Sequence, residues 1–237
     1  MKSALLLCLM TMTPLAAHAA NPWAAPQGCE VFLTVQSKEC RVSNHYRCTG
    51  DAPGDQWRAD FDQDGVFFQS RINSEAEWVE SYELFPTVKQ ELRPGALDPA
   101  SFSGLLSTGR DDFIFGLSKD TGEQTDVRGF DRLTGKTFAI DNITLSETEY
   151  SYEESDAAGQ VLRQSRGFEY VHPDWRLFFS GPSEWWDGTE WLPIDGSPVA
   201  FVFPGEPGFA ATEPLFNCDP VLSQLPQSGK GLIHDNL

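Results

Sequence analysis

Glu147-Thr148-Glu149-Tyr150-Ser151-Tyr152-Glu153-Glu154-Ser155-Asp156-Ala157-Ala158-Gly159-Gln160 alternates, turns and starts back. Successive side chains of an extended strand point to opposite faces. Thr148, Tyr150 and Tyr152 therefore share one face, and Glu147, Glu149, Ser151 and Glu153 the other. Asp156-Ala157-Ala158-Gly159 supplies the turn, because Asp bonds its own backbone and Gly accepts a positive φ. Gln160 to His172 then returns, with Leu162, Phe168 and Tyr170 on one side. An alternating strand, a short turn and a second alternating strand make an antiparallel hairpin.

The same beat extends outward in both directions. Trp57, Ala59 and Phe61 alternate with Arg58, Asp60 and Asp62, Asp64-Gly65 turns, and Val66-Phe67-Phe68 returns. Trp78 to Leu84 reads as a strand, and Phe113, Phe115 and Leu117 alternate before Asp120-Thr121-Gly122. Val127 to Arg132 leads to a turn at Leu133-Thr134-Gly135, with Lys136 to Leu145 coming back. Pro173-Asp174 ends the returning strand, and Trp175 to Ser180 follows. Asp98-Pro99-Ala100 breaks the rhythm with an N-cap and a first-turn proline, and Phe102, Leu105 and Leu106 follow at helical spacing up to Gly109. The pattern predicts an all-β, mainly antiparallel meander of roughly nine to twelve strands, with one short helix near 99–107. A sheet that large curls into a half-barrel or barrel to bury one face and protect its edges.

Residues 1–19 read as a secretory signal peptide. Lys2 precedes the apolar run Ala4 to Met10, and Ala17-His18-Ala19 has the small-x-small form of a cleavage site. Residues 20–220 are expected to form a single β-rich domain, with residues 221–237 a polar tail. The expected location is periplasmic or secreted, with no membrane span. Cys29, Cys40, Cys48 and Cys218 remain after loss of Cys8, an even number for an oxidising compartment. With Ser37-Lys38-Glu39-Cys40 as a hairpin turn, Val35 opposes Val42, Leu33 opposes Asn44, Val31 opposes Tyr46 and Cys29 opposes Cys48. That register predicts the disulfides Cys29–Cys48 and Cys40–Cys218.

Acidic residues outnumber Lys and Arg 35 to 17, a net charge of −18. Such a field repels polyanions, which excludes nucleic acid as a partner, and it favours a soluble monomer. No catalytic residues are assigned. Gly135-Lys136-Thr137 has the end of a phosphate-binding loop, but Phe130 stands where the first Gly belongs and a strand follows. Asp120-Thr121-Gly122 has the form of half an aspartic-protease dyad, but the second half is missing. No cofactor is expected, calcium apart. Asp60, Asp62 and Asp64 ahead of Gly65 match the start of a calcium loop, although Arg71 stands where a bidentate Glu is required. An ordinary hairpin turn accounts for the same residues.

At Phe168-Glu169-Tyr170-Val171-His172-Pro173-Asp174-Trp175-Arg176-Leu177-Phe178-Phe179-Ser180-Gly181 the chain resembles uncharacterised exported proteins of Gram-negative bacteria. In architecture it is similar to the curved-sheet carriers of periplasmic lipoproteins and to lipocalin-like binders. That resemblance implies a non-catalytic binding or carrier protein for an apolar or amphipathic small molecule. Aromatic residues make up 12% of the chain, and a concave aromatic wall forms such a pocket. The candidate lining on the N-terminal side is Trp57, Phe61, Phe68 and Trp78. Farther along it is Phe113, Phe115, Tyr150, Tyr152, Phe168 and Tyr170. The same residues could instead fill a dry core. Trp185, Trp186 and Trp191, with their neighbouring carboxylates, carry the alternative of a carbohydrate-binding or sugar-active protein. A third reading is an envelope interaction module that partners another envelope protein and takes no small ligand.

Overall fold

The computed structural model describes residues 23–218, so the signal-peptide and polar-tail expectations lie outside the described residues. The chain forms one antiparallel sheet of 13 strands. The first six are β1 (Cys29–Ser37), β2 (Arg41–Cys48), β3 (Gln56–Asp62), β4 (Gly65–Ile72), β5 (Trp78–Leu84) and β6 (Thr87–Leu92). Helix α1 (Phe102–Thr108) follows. Then come β7 (Arg110–Lys119), β8 (Gln124–Ile140), β9 (Ile143–Asp156), β10 (Val161–His172) and β11 (Leu177–Trp186). The last two, β12 (Trp191–Asp195) and β13 (Pro198–Val202), are short. Each strand pairs with its sequence neighbour from β1 to β12, and β13 returns to pair with β1. The sheet is therefore not closed by hydrogen bonds. Its two edge strands are instead joined covalently through Gly196-Ser197. Lys38 fastens that corner with an ion pair to Asp195 at 2.5 Å, and its backbone N–H donates to the Ser197 carbonyl at 3.0 Å.

A curl this tight brings distant strands face to face. Leu33 and Val35 of β1, Tyr170 of β10, Leu177 and Phe179 of β11 and Phe201 of β13 form one buried cluster. Arg41 of β2 donates to Ser180 Oγ of β11 at 3.1 Å, and Gln56 of β3 donates to the Trp175 carbonyl at 2.9 Å. Eight strands already enclose an interior that side chains can fill, and more strands widen it. Here α1 occupies part of that width. Phe102 and Leu105 pack on Val171 and Phe178. A separate cluster, Val42, Tyr46, Ala59 and Phe61, lies on the opposite face of β2 and β3 and is covered by Trp23. Beside it, residues 210–215 cap buried polar groups. Thr34 accepts from the Ala210 N–H, Asn44 donates to the Ala211 carbonyl, and Gln36 bonds both Glu213 and Leu215.

Three sequence expectations shift by a few residues. Both disulfides form as expected, Cys29–Cys48 and Cys40–Cys218. Between them the hairpin register is different. A bulge at Phe32 and a three-residue turn offset one another, so Leu33 opposes His45 and Val35 opposes Ser43. One inserted residue exchanges the faces of everything beyond it. Leu33 and Val35 thereby face the interior while Val42 and Tyr46 do not. The helix starts later than 99. Ser101, not Asp98, is the N-cap, its Oγ accepting from the Gly104 N–H at 3.0 Å, and Asp98 pairs with Ile114 in an isolated bridge. Leu133-Thr134-Gly135 is not a reversal. Gly135, at φ +79°, makes a bulge inside the long β8, and the chain turns at Asp141-Asn142 instead. Both of those residues have positive φ, as a two-residue hairpin loop of the type I′ kind requires.

Gly129 in β8 is required by close approach. A Cβ there would lie 2.4 Å from the Ser151 carbonyl oxygen and 2.7 Å from the Phe113 ring. Gly129→Ala is expected to destabilise the fold by roughly 1–3 kcal/mol, the usual cost of overpacking. Urea unfolding, with Gly50→Ala, where a Cβ meets open space, as the comparison, measures it.

Candidate functional site

Between the facing walls of the curl lies a cavity that is partly open to solvent. Its apolar lining is Phe68, Ile72, Trp78, Leu117, Leu177 and Phe178. Its polar lining includes His45, Arg58, Glu83, Gln90, Glu154 and Arg163. The alternation places them there. Arg58 opposes Ser70 across β3 and β4, and Phe68 opposes Glu83 across β4 and β5. Tyr152 opposes Ser165, and Glu154 opposes Arg163, across β9 and β10. Arg163 spans the cavity, 3.7 Å from Glu154 and 3.8 Å from Glu83 of β5. Glu154 also accepts from Thr125 Oγ1 at 2.6 Å. Arg58 pairs with Asp60 at 3.0 Å, and Asp60 accepts from Ser43 Oγ at 2.6 Å. Burial, aided by Arg58, lowers the His45 pKa to about 3, so this imidazole is neutral at physiological pH.

Beneath α1 a second, smaller cavity shares Trp78 and Phe178 with the first. Phe113 and Phe115 line it, together with Asp111 and Asp131. These two carboxyls are direct cross-strand neighbours on β7 and β8. Asp111 accepts from the Ser101 N–H at 2.8 Å. Asp131 is 4% exposed, and its Oδ1 has no hydrogen-bond partner among the described residues. Burial, with Asp111 beside it, pushes the Asp131 carboxyl up to about 8, and burial pushes Asp111 up to about 6.

Raised carboxyl pKa values make stability depend on pH with a definite sign. Between its unfolded and folded pKa the native Asp131 binds more proton than the unfolded chain, so stability falls as pH rises through that range. His45 and His172, both lowered by burial, act in the opposite sense as the unfolded histidines deprotonate, but equally in the native protein and in Asp131→Asn, so they cancel in the comparison. From pH 6.5 to about 8 the native protein should therefore lose roughly 1–2 kcal/mol that Asp131→Asn does not lose. Urea titrations of both proteins across that range measure the difference, and parallel curves would contradict it.

The expected lining residues divide. Trp57, Phe68, Trp78 and Tyr152 border the main cavity, and Phe113 and Phe115 border the second. Phe61, Tyr150, Phe168 and Tyr170 line neither. Phe61 packs under Trp23, Tyr150 bonds Ser165, Phe168 lies beneath Lys136, and Tyr170 meets Phe138. Trp57 itself stacks between Tyr46 and Tyr82. The tryptophan segment is a hairpin whose turn is held by Asp187, which accepts from Thr189 and Glu190. Trp186 and Trp191 pair across it at 5.7 Å, and the Arg166 guanidinium lies 4.0 Å from the Trp191 ring centre. Trp185, the residue before Trp186, opposes Leu192. Asp60, Asp62 and Asp64 are not gathered. Asp60 serves Ser43 and Arg58, and Asp62 accepts from the Asp64 N–H in its own turn. Among the described residues no group of three His, Cys, Asp or Glu side chains is placed to hold a metal.

Arg163, Glu83, Glu154, Asp111 and Asp131 were not singled out from sequence. Their one signal is parity, for each sits on the same beat as an interior aromatic of its own or a neighbouring strand. No protein-family model matches the chain, and no curated protein or solved structure matches it. Two disulfides accord with an oxidising, extracytosolic space. No described helix is long and apolar enough to cross a membrane.

Proposed function

We propose that this is an exported, periplasmic or secreted binding or carrier protein, without catalytic activity, for an amphipathic small molecule. One observation carries the reading: the cavity inside the curl is lined by aromatic and aliphatic side chains interleaved with charged ones. Small-molecule pockets combine a mostly apolar lining with a few fixed polar groups in the same way. A purely apolar ligand would desolvate Arg163 and its two carboxylates, whose ion pairs at 3.7 and 3.8 Å are longer than direct hydrogen bonds. A ligand with a polar head and an apolar tail suits both kinds of lining.

Ser70 lines the middle of the cavity on β4, and Ser70→Trp fills it without touching either disulfide. Nile red fluorescence titration is expected to show saturable binding at one probe per chain. Ser70→Trp should weaken it by about tenfold, ~1.4 kcal/mol, with an unchanged far-UV spectrum. Absent binding, or binding that the filled cavity leaves intact, would overturn the proposal.

A further inference from the structure

We propose that the Asp111 and Asp131 carboxyls form the cation-recognising end of the ligand site and take the ammonium of a primary alkyl amine. Its tail would run past Trp78 and Phe178 into the main cavity. This rests on the carrier reading and narrows its ligand class.

No cation of the described fold answers this carboxyl pair. Like charges placed directly opposite on neighbouring strands oppose pairing, yet Asp111 and Asp131 stand in that position. Every charged group facing them is also acidic or already engaged. Asp98 lies on the bridge to β7, Asp112 follows Asp111, and Glu75 approaches from the loop before β5. The nearby arginines are taken, Arg110 by Asp112 and Arg176 by Glu75. Among the described residues neither Asp111 nor Asp131 makes an ion pair. Asp131 Oδ1, deeply buried at the wall of the second cavity, accepts no hydrogen bond from any described residue.

A ligand that answers this arrangement must donate hydrogen bonds and carry positive charge. An ammonium does both, with three N–H donors on one compact head. Trp78, Phe113 and Phe115 line the same cavity, and a ring face turned to the ammonium would add cation–π attraction. A divalent metal does not fit, because two carboxylates without a third ligand make a poor oxygen cage. An anionic head is excluded by sign. The two cavities are adjacent, since Trp78 and Phe178 border both, and a tail leaving the carboxyls has only those side chains to pass.

Proton linkage supports the same geometry. The empty pair holds a proton at neutral pH, because burial raises both carboxyls. Ammonium binds the ionised form, so binding releases a proton to solvent. Affinity should therefore rise with pH, by up to about tenfold per unit below pH 8.

Calorimetry with dodecylamine, dodecanol and dodecanoate tests this on the native protein and on Asp131→Asn. The expected native result is an amine affinity at least about tenfold above that of the alcohol, with proton release seen in buffers of different ionisation heat. In Asp131→Asn the ratio of amine to alcohol affinity should collapse towards one, and the proton release should vanish. Asp111→Asn provides a second variant should the first misfold. Equal affinity for amine and alcohol in the native protein, or a preference that survives in both variants, overturns the amine inference while leaving the carrier reading standing. Binding of none of the three chains overturns both.

Discussion

Replacing Cys40 and Cys218 together by Ser should lower the unfolding free energy by about 5 kcal/mol, the largest loss expected from any covalent change in this molecule. The bridge closes a separation of 178 residues, against 19 for Cys29–Cys48. On the chain-entropy model a cross-link constrains the unfolded chain more as the loop lengthens, which puts the short bridge at about 3 kcal/mol. The long bridge also has native work to do. The Cys40 N–H donates to the Phe216 carbonyl at 2.9 Å. The segment that Cys218 anchors supplies the partners of Thr34, Gln36 and Asn44, all nearly inaccessible to water. Freed of its anchor, that segment lifts more readily and exposes those groups. Urea unfolding of the two double-serine variants compares the bridges directly. A loss from Cys40→Ser, Cys218→Ser no larger than from Cys29→Ser, Cys48→Ser would contradict this account of how the terminus is held.

Asp60→Ala should cost roughly 3–5 kcal/mol, the range for removing one member of a buried ion pair. Asp60 is wholly buried, and the Arg58 side chain is only 12% exposed. The carboxylate is shared by Arg58 and by the Ser43 hydroxyl. Its loss strands a positive charge in the wall of the main cavity. Removing both charges should be milder, because the penalty belongs to the unmatched partner more than to the pair. Arg58→Met in the Asp60→Ala background is therefore expected to recover a substantial part of the stability. Chemical denaturation of the two single variants and the double variant closes the cycle. Additive losses would contradict the pairing.

The architecture was legible because the beat of two is a short-range property. Thr148 to Tyr152 and Phe113 to Leu117 announce their faces without reference to the rest of the chain, and the structure keeps those faces. Both disulfides were legible for a subtler reason. The extra residue at Phe32 and the longer turn after Ser37 offset one another, so Cys29 still meets Cys48. The face of Leu33 was not legible, because a bulge inverts parity and leaves no strong mark in sequence. Gly135 misled in the same way, since a positive-φ glycine serves a bulge as well as a turn.

The candidate site was harder to read. Arg163 and Glu83 lie on β10 and β5 and meet only because the sheet curls. Asp111 and Asp131 meet only at one register of β7 on β8. Each residue alone looks like another acidic or basic side chain of a strongly charged protein. Aromatic content pointed to a lined interior, yet Phe61, Phe168 and Tyr170 lie away from both cavities, because composition carries no face information.

The most direct test of the enclosed site is a crystal structure of the protein grown with a terminally brominated dodecylamine, read from the bromine anomalous signal. A bromine peak is expected inside the curl, against Phe68, Leu117 and Leu177, with the amine end towards Asp131. Bromine found only on the outer surface, with the interior unchanged at saturating ligand, would contradict the account.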